Sequence, residues 1–579
     1  MTSPRLRSRL TSVAAFVAAT LMVAVQAASP AEAASHALIQ GSGSSWAANA
    51  INQWIADVAS QGLQVVFTAS GAAQGRKDYA NRANDFAVSD VPFQGKDPTT
   101  GQADTSQGRS FAYLPIAAGG TAFPYHIQVG NQLVRNLRLS GETLAKIFTD
   151  QITNWDDPEI TKDNNGHALP SLPIIPVVHS EGAGVSAMFT RYLAKEYPKI
   201  WAPCNGGIDA ETEYFPLNCG KPSGPQKAQS GSDGVMNFIK SADANGSIGT
   251  EEYSYPLLSN YPSAKLLNSA GYYTLPTQYN VAVALTKAVI NNDPSSPNYL
   301  TQNLDNVYTN PDRRTYPLSS YVYAIIPTAS DDSRMTTAKR QTIADFLYYS
   351  ICQGQQEIGP IGYSSLPVNL VEAGFTQIGK LKKADPGVDL TSRNVSTCHN
   401  PTFIAGKPNV NHLAVIAPQP PSCDKVGAGP CDADQGTYNG DAPTSSSNNG
   451  SAGAGHRGTS GGATTSGTGG TGTSGGTATG GGGLPSGGAA ATGGSLPSAA
   501  AGDSDLGLGT TGGGTTTQQQ GSGSDAQQLI VPTTLAASDS RGPTVILAVL
   551  AVVLFALVLI VPAVVRRRFL RDQTDGPPA

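Results

Sequence analysis

The stretch PIIPVVHSEGAGVSAMFTRYLAKEY, residues 173–197, has the order strand, turn, helix. Its first six residues are apolar, as in a buried strand. Five later side chains share one helix face: Val185, Met188, Phe189, Tyr192 and Leu193. Between the two elements, HSEGAG places glycines where the helix opens, which lets bare backbone N–H groups approach an anion. Because the turn has no arginine or lysine, such an anion would depend on these N–H groups and on flanking hydroxyls.

The same order of strand, small-residue turn and helix occurs in residues 36–62 and again in 63–80. A further apolar strand, 85–93, contains Ser89-Asp90. Strands that alternate with helices predict an α/β domain with a largely parallel sheet. The first of these helices has one stripe of apolar residues at helical spacing: Ile51, Trp54, Ile55 and Val58.

Ligands of open α/β sheets bind beyond the carboxyl ends of the strands. Three turns have that position and are candidate ligand loops: 41–46, 69–75 and 89–92. Further along, the sequence predicts a helix capped near Ser140 and a helix opened by glycine within 231–255. Later strands and helices are expected in 279–285, 316–327 and 338–352.

The two ends of the chain predict export and anchoring. Residues 1–34 have the charged, apolar and small-residue parts of a secretory signal peptide. Residues 544–565 form an apolar run of 22 residues, enough for a transmembrane helix, and the basic tail 566–579 follows it. These features predict a single-pass cell-membrane protein whose N-terminal part is extracellular and whose C-terminus is cytoplasmic.

Residues 432–540 consist mostly of Gly, Ser, Thr and Ala and predict a disordered linker, because such a composition cannot bury enough apolar surface to fold. A sortase signal at 484–488 is disfavoured, since LPSGG lacks the threonine and lies far from the apolar run. The part expected to fold is residues 36–431, which is long enough for two domains of ordinary size.

Charge and cysteine content exclude several classes of function. The net charge is −5 with 14% charged residues, which argues against a nucleic-acid partner. All six cysteines lie in the exported part, and an even number there favours disulfides. Pairing of neighbours would join Cys204 to Cys219, Cys352 to Cys398 and Cys423 to Cys431, although six cysteines allow 15 connectivities. No cysteine or histidine cluster has metal-ligand spacing, so no metal and no cofactor is expected.

Several motifs occur together in one order: GSGSSW, NDFAVSDVPF, NLRLSGETLAKIFTDQITNWDDPEI, the EGAG turn, GSIGTEEYSY and YPLSSYVYAIIP. Together they resemble the substrate-binding proteins of phosphate ABC importers (PstS type) over about residues 36–385. The resemblance implies a two-domain, periplasmic-binding-protein-like (type II) α/β fold with a hinge cleft. Domain I would comprise 36–125 and 280–385, domain II 126–279, and a cysteine-containing extension 386–431 would follow.

In that family, hydroxyls, backbone N–H groups, one arginine and one aspartate hold phosphate. The resemblance carries the ligand role to these positions: Ser44, Ser45, Trp46, Ala72, Asp90, His179, Glu181, Gly182, Ala183, Gly184 and Val185. The Asp90 carboxylate would accept a hydrogen bond from a protonated oxyanion and repel a fully ionised one.

Five of these positions depart from the family pattern. His179 replaces arginine, Glu181 aspartate, Ala183 and Ala72 serine, and Val185 threonine. A charge-assisted hydrogen bond contributes about 1.5–3 kcal/mol and a neutral one about 0.5–1.5 kcal/mol. The exchange of these donors therefore predicts weak phosphate binding or a different small ligand.

Each candidate residue also has a structural interpretation. His179 is either a pH-dependent donor to an anion or a hydrogen-bonded residue at a strand end. Glu181 could serve only as a favourable charge at a helix N-terminus. Trp46 could line the cleft or pack in the core. Arg76 and Lys77 could supply positive charge or lie in solvent.

Three functions remain open. The first is a membrane-anchored solute-binding protein for phosphate or an altered small molecule, associated with an ABC permease in uptake or sensing. The second is a degenerate binding fold that serves as a cell-surface interaction protein without transport. An enzyme is the least supported, because no Ser/His/Asp order or paired carboxylates stand out.

Overall fold

The computed structural model describes residues 36–96 and 101–431. The predicted signal peptide, linker, transmembrane helix and basic tail lie outside these residues. Within them, no helix combines the length and the apolar character needed to span a bilayer.

The described chain alternates helices with strands. The helices are α1 Ala48–Ala59, α2 Ala72–Ala80, α3 Gly141–Phe148, α4 Pro158–Asp163, α5 Gly184–Glu196, α6 Pro198–Cys204, α7 Gly231–Lys240, α8 Ser254–Leu258, α9 Gln278–Leu285, α10 Asp305–Tyr308, α11 Thr337–Ile351, α12 Val368–Ala384 and α13 His412–Ile416. The strands of the two larger sheets are β1 Ile39–Gly43, β2 Val65–Thr68, β3 Phe86–Ser89, β4 Phe111–Ala122, β5 Tyr125–His126, β6 Ile175–His179, β7 Lys227–Gln229, β8 Ser247–Gly249, β9 Glu251–Glu252 and β10 Ser319–Pro327.

Shorter elements complete the described chain. The remaining strands are Gly95–Lys96, Ala103–Asp104, Gln128–Val129, Gln132–Leu133, Arg138–Leu139, Lys265–Leu267, Tyr273–Thr274, Val289–Ile290 and Gln302–Asn303. Single turns of 3-10 helix occur at Leu217–Gly220, Gln353–Gln356, Val395–Thr397 and Ser422–Asp424.

The first sheet has the order β9-β4-β10-β3-β1-β2. β1 pairs in parallel with β2 and β3, whereas β10 runs antiparallel to both β3 and β4. The prediction of a largely parallel sheet is therefore wrong for the half that contains β4 and β10. Alternation of strands with helices indicates parallel pairing only where a helix connects strands that are neighbours in the sheet. β4 and β10 are neighbours in the sheet but lie nearly 200 residues apart along the chain, so the rule does not apply to them.

The second sheet has the order β7-β6-β8-β5 and forms around the stretch 173–197. β6 ends at His179 and α5 begins at Gly184, as the sequence predicts. β6 pairs in parallel with β7 and β8, and β5 closes the sheet in the antiparallel direction. The chain passes from the first sheet to the second at 122–125, directly after β4.

Aromatic side chains near residues 122–125 form part of the core beneath the second sheet. The Phe123 ring contacts Phe148 of α3 and Phe189 of α5, with ring centroids 6.0 and 5.2 Å away. Phe215 packs against both of those rings and against Trp201. One contiguous hydrophobic cluster includes these side chains and the core of the first sheet.

Local sequence signals account for the helix positions. Ile51, Trp54 and Val58 of α1 are buried, and Ile55 is half-buried, as the apolar stripe predicts. Ser140 caps α3 by accepting a hydrogen bond from the Thr143 backbone N–H.

The extension, residues 386–431, is attached to the rest of the protein at several points. Cys352 at the end of α11 is bonded to Cys398. Farther on, Arg138 donates from Nη1 to the backbone oxygens of Cys423 and Ala428, at 3.0 and 2.7 Å. The Lys265 ammonium lies 2.7 Å from the Asp424 carboxylate, and this ion pair is a further attachment of the extension.

All three predicted disulfides are confirmed. They join Cys204 to Cys219, Cys352 to Cys398 and Cys423 to Cys431, and the described residues contain no free cysteine. Each bond joins two cysteines that are consecutive along the chain.

The disulfides should differ in their contributions to stability. Loop-closure entropy predicts a loss of about 4 kcal/mol on removing the bond between Cys352 and Cys398, whose separation is 46 residues. The same relation gives about 2.5 kcal/mol for Cys423 and Cys431, separated by 8 residues. Chemical denaturation of the two double Cys→Ala variants measures both losses. Equal losses, or the reverse order, would contradict the entropic explanation.

Candidate functional site

The loops that follow β1, β2 and β3 meet the loop that follows β6. We call this meeting point, formed by residues 44–46, 71–73, 90 and 181–185, the loop junction. One hydrogen bond crosses it, from the Ala73 N–H to the Gly182 oxygen at 3.1 Å. A second connects it to the first turn of α7, where the Ser232 hydroxyl donates to the Ser45 hydroxyl at 3.0 Å. The structure thus brings the candidate loops of the first sheet together with the glycine-containing turn.

Asp90 lies directly against the first turn of α5. A Cβ atom on Gly184 would lie 1.7 Å from Asp90 Oδ2, so only glycine at this position allows the close approach. A second close approach occurs at Gly71, which has φ +91° and where a Cβ would lie 2.8 Å from Glu181 Cγ. These two glycines permit the contact between the loops of the two sheets.

Asp90 is buried, with 2% of its surface exposed, and its Oδ2 makes no hydrogen bond within the described residues. Burial raises the pKa of Asp90 to about 7, since an ionised carboxylate is poorly solvated there. The Ser44 hydroxyl and the more distant Arg76 lower that pKa, and the Glu213 charge raises it, but burial has the largest effect. Asp90 therefore changes its protonation near neutral pH.

His179 ends β6 and uses both ring nitrogens inside the protein. Nδ1 lies 2.8 Å from Glu181 Oε1, and Nε2 lies 3.2 Å from the Thr250 oxygen and 3.4 Å from Glu251 Oε1. Burial favours the neutral ring, but the hydrogen bonds and charges of Glu181 and Glu251 outweigh it and raise the pKa of His179 to about 10. His179 thus has the contacts of a hydrogen-bonded strand-end residue, and its ligand role stays a prediction.

Glu181 stabilises the N-terminus of α7. It does not do so for α5, which follows Glu181 in the chain. Its Oε2 accepts a hydrogen bond from the backbone N–H of Gly231, the first residue of α7, at 3.1 Å. Burial raises the pKa of Glu181, but protonated His179 and backbone hydrogen bonds, including that from Gly231, together lower it by more, so the net shift is downward. Glu181 therefore connects the turn after β6 to the start of α7.

The other candidate residues divide between the loop junction and the core. Ser45, Ala72, Gly182 and Ala183 lie at the junction, and all four are buried. Trp46 is buried and packs edge-on against Tyr363, which favours the core interpretation of this tryptophan. Val185 belongs to the hydrophobic core as well.

The sequence left open whether Arg76 supplies positive charge to the site or lies in solvent. The structure shows that it does not lie in solvent. Its side chain is 1% exposed, whereas Lys77 is exposed. The guanidinium donates to the Ser89 hydroxyl from Nη1 at 2.9 Å and forms ion pairs with Asp104 and Glu213. Burial lowers the pKa of Arg76, but the charges and hydrogen bonds of Glu213 and Asp104 together outweigh it, so the net shift is upward.

Carboxylates outnumber cations around the loop junction in the described structure. Arg76 and His179 are both paired with acids, as given above. Burial also raises the pKa of Glu251, and that of Glu252 well above its ordinary value. An anion bound at the junction would have to rely on hydrogen-bond donors, because both nearby cations already have carboxylate partners.

Three contributors to the site were not identified from the sequence: Glu213, Glu251 and Ser232. Glu251 lies within the motif GSIGTEEYSY, so its two adjacent acids were an available signal. Glu213 lies between the paired Cys204 and Cys219 and 137 residues from Arg76, and no local pattern marks it. No cluster of three or more potential metal ligands occurs among the described residues.

The candidate loops lie at the ends of strands in both larger sheets, and the chain matches the family described as PBP superfamily domain over residues 28–353. This match covers more than half of the chain, and the protein belongs to the PBP superfamily.

Relatives narrow the assignment within that superfamily. Phosphate-binding protein PstS 2 of Mycobacterium tuberculosis is 31% identical over 340 residues, which cover 57% of this chain and 83% of the relative. Phosphate-binding protein PstS of Methanocaldococcus jannaschii is 26% identical over 355 residues, covering 60% and 87%. The protein is a PstS-type member of the substrate-binding proteins.

A solved structure of a high-affinity periplasmic phosphate-binding protein with bound phosphate shares 19% identity and a TM-score of 0.47 with this chain. The likeness covers 61% of this chain and 99% of that chain. The family assignment rests on the sequence matches alone.

The titration of Asp90 should appear in the pH dependence of stability. Its folded-state pKa lies above the unfolded value, so the contribution of Asp90 to stability is greatest at low pH and falls as the pH rises from about 4 to about 7. At about 1.4 kcal/mol per pKa unit, the ionised form costs the folded state roughly 4 kcal/mol above pH 7. Asp90→Asn should therefore be more stable than the wild type at pH 8 and nearly equal to it at pH 4.

Chemical denaturation at several pH values between 4 and 8 measures this difference. The exposed Asp243→Asn is the matched control and should follow the wild type throughout. A constant difference between Asp90→Asn and the wild type across this range would show that Asp90 does not titrate as described.

Proposed function

We propose that this protein is an exported solute-binding protein that binds a protonated oxyanion, with phosphate as the first candidate, at the loop junction. The observation that carries the proposal is the Asp90 carboxylate, buried against the first turn of α5 with Oδ2 unbonded within the described residues. A buried polar atom without a partner costs about 1–3 kcal/mol. A ligand that donates a hydrogen bond to Asp90 would remove that cost.

Protonated phosphate has the required combination of groups. Its O–H donates to Asp90, while its other oxygens accept from N–H groups at the starts of α2 and α5. Both helices begin at the loop junction, at Ala72 and Gly184, and their N-termini favour negative charge. In this proposal the junction is the ligand cleft between domain I, 36–125 with 280–385, and domain II, 126–279.

The proposed affinity is modest. In PstS-type relatives the family pattern places arginine where this chain has His179, and His179 is paired with Glu181 and Glu251. Arg76 is likewise paired with carboxylates. Without an unpaired cation at the junction, a bound anion lacks a charge-assisted hydrogen bond that contributes about 1.5–3 kcal/mol.

Restoring the family's donors should strengthen binding. In the triple variant His179→Arg, Ala183→Ser and Val185→Thr, the arginine keeps its acidic neighbours and two hydroxyls are added in the first turn of α5. Two added neutral hydrogen bonds, at about 0.5–1.5 kcal/mol each, predict a gain in phosphate affinity of roughly 5- to 150-fold. Isothermal titration calorimetry with phosphate and sulfate measures it.

The matched control is the substitution of Thr190, which lies on α5 beyond its first turn, by serine. This variant retains a hydroxyl and should leave phosphate affinity unchanged. An unchanged affinity in the triple variant would mean that these positions do not contact the ligand.

A second candidate function is a surface-interaction protein that has lost its ligand. The contact between Asp90 and Gly184, together with the internal pairing of Arg76 and His179, favours it, because the protein's own groups fill the junction. Thermal-shift measurements with phosphate, sulfate, pyrophosphate and neutral metabolites separate the two functions. A shift with phosphate supports the first function, and no shift with any of these compounds supports the second.

We also propose that residues 544–565 anchor the protein in the cell membrane and that an ABC permease receives its ligand. Deleting residues 544–579 should release the protein into the culture medium, because the apolar run is removed. Immunoblotting of membrane and medium fractions measures the release, with deletion of 572–579 as the control that keeps the run and its basic flank. A deletion variant that stays in the membrane fraction would contradict this anchor.

A further inference from the structure

Arg76 holds a carboxylate on each of two sides inside the protein. One side faces Asp104, with Nε at 3.1 Å and Nη2 at 2.9 Å from Asp104 Oδ2. The other side faces Glu213, where Nη1 lies 3.0 Å from Oε1 and Nη2 bonds to Oε2. Glu213 thus makes a two-point contact with the guanidinium, a geometry that phosphate also adopts with arginine.

The position of Glu213 is fixed by the turn after β6. The Ala183 backbone N–H donates to the Glu213 backbone oxygen at 3.0 Å, one residue before α5 begins. Arg76 belongs to α2, which begins at the same loop junction, and its Nη1 also binds Ser89, the neighbour of Asp90. The ion pair of Arg76 with Glu213 therefore joins the loops of the two sheets beside the proposed ligand position.

We infer that Glu213 acts as an internal substitute for an anionic ligand and that Arg76 is the latent anion-binding cation of the junction. The inference rests on the proposed oxyanion-binding function and adds the residue that limits its affinity. Asp104 keeps the guanidinium in place from the other side, so removal of the Glu213 charge leaves Arg76 positioned, with one two-point face that has no carboxylate partner. An entering oxyanion then meets a cation instead of a carboxylate.

Charge counting indicates the direction of the effect. Arg76, Asp104 and Glu213 together carry a net charge of −1 when ionised, which opposes an anion. Glu213→Gln brings the sum to zero and keeps the shape of the side chain. A recovered charge-assisted contact of about 1.5–3 kcal/mol corresponds to a roughly 10- to 150-fold gain in affinity.

The test is isothermal titration calorimetry of inorganic phosphate into the purified full-length protein. Glu213→Gln should bind phosphate roughly 10- to 150-fold more tightly than the wild type. The control Glu211→Gln removes the same charge two residues away, where the partner is Arg191 at 3.7 Å, and should not change the affinity. The double variant Arg76→Gln with Glu213→Gln should lose the gain.

A gain of equal size in Glu211→Gln would overturn the inference, because a general change of charge would explain it. A gain that survives in the double variant would overturn it as well, since Arg76 would not be the cation. If Glu213→Gln does not fold, as judged by circular dichroism, Glu213→Ala replaces it. Alanine removes the same charge, so a gain in phosphate affinity is again expected; no gain would overturn the inference.

The same titrations separate this inference from the proposed function. If the wild type or the triple variant at His179, Ala183 and Val185 binds phosphate and Glu213→Gln shows no gain, the inference alone fails. If none of these proteins binds phosphate, the proposed oxyanion-binding function fails, and the role of Glu213 fails with it.

Discussion

The position of Asp90 and the path of the chain into the second sheet depend on the pairing of β10 with β3 and β4. β10 lies between these strands, and its register places Tyr323 opposite Ser89, the last residue before Asp90. β4 then leads through Pro124 into the second sheet, where the Gly249 N–H donates to the Pro124 oxygen at 2.8 Å. These two strand pairings therefore fix the start of the loop that contains Asp90 and direct the chain toward the loops of the second sheet.

Charge at the loop junction is balanced by residues that are distant in sequence. His179 has acids on both sides, and Arg76 has acids on both sides. Removing one member of such a buried pair leaves an uncompensated charge, which is why these pairs hold the loops in a defined arrangement. In the proposed function, this balance leaves Asp90 and the helix N-termini as the groups that contact the ligand.

Local patterns predicted much of this architecture, since the strand, turn and helix of 173–197 and the cap at Ser140 depend on neighbouring residues. The disulfides also followed chain order. Sheet direction at β4 and β10 could not be predicted, because hydrophobic periodicity identifies a strand without giving its direction. The partners of Arg76 and His179 could not be predicted either, because Glu213 and Glu251 are 137 and 72 residues away along the chain.

The attachment of the extension has a mechanical consequence. Cys431 is bonded to Cys423 within a loop that Arg138 and Lys265 hold against the rest of the protein. A pulling force applied at residue 431 would first load this short covalent loop and the hydrogen bonds of Arg138. The disulfide and the contacts of Arg138 and Lys265 therefore act as a clamp on the end of the extension.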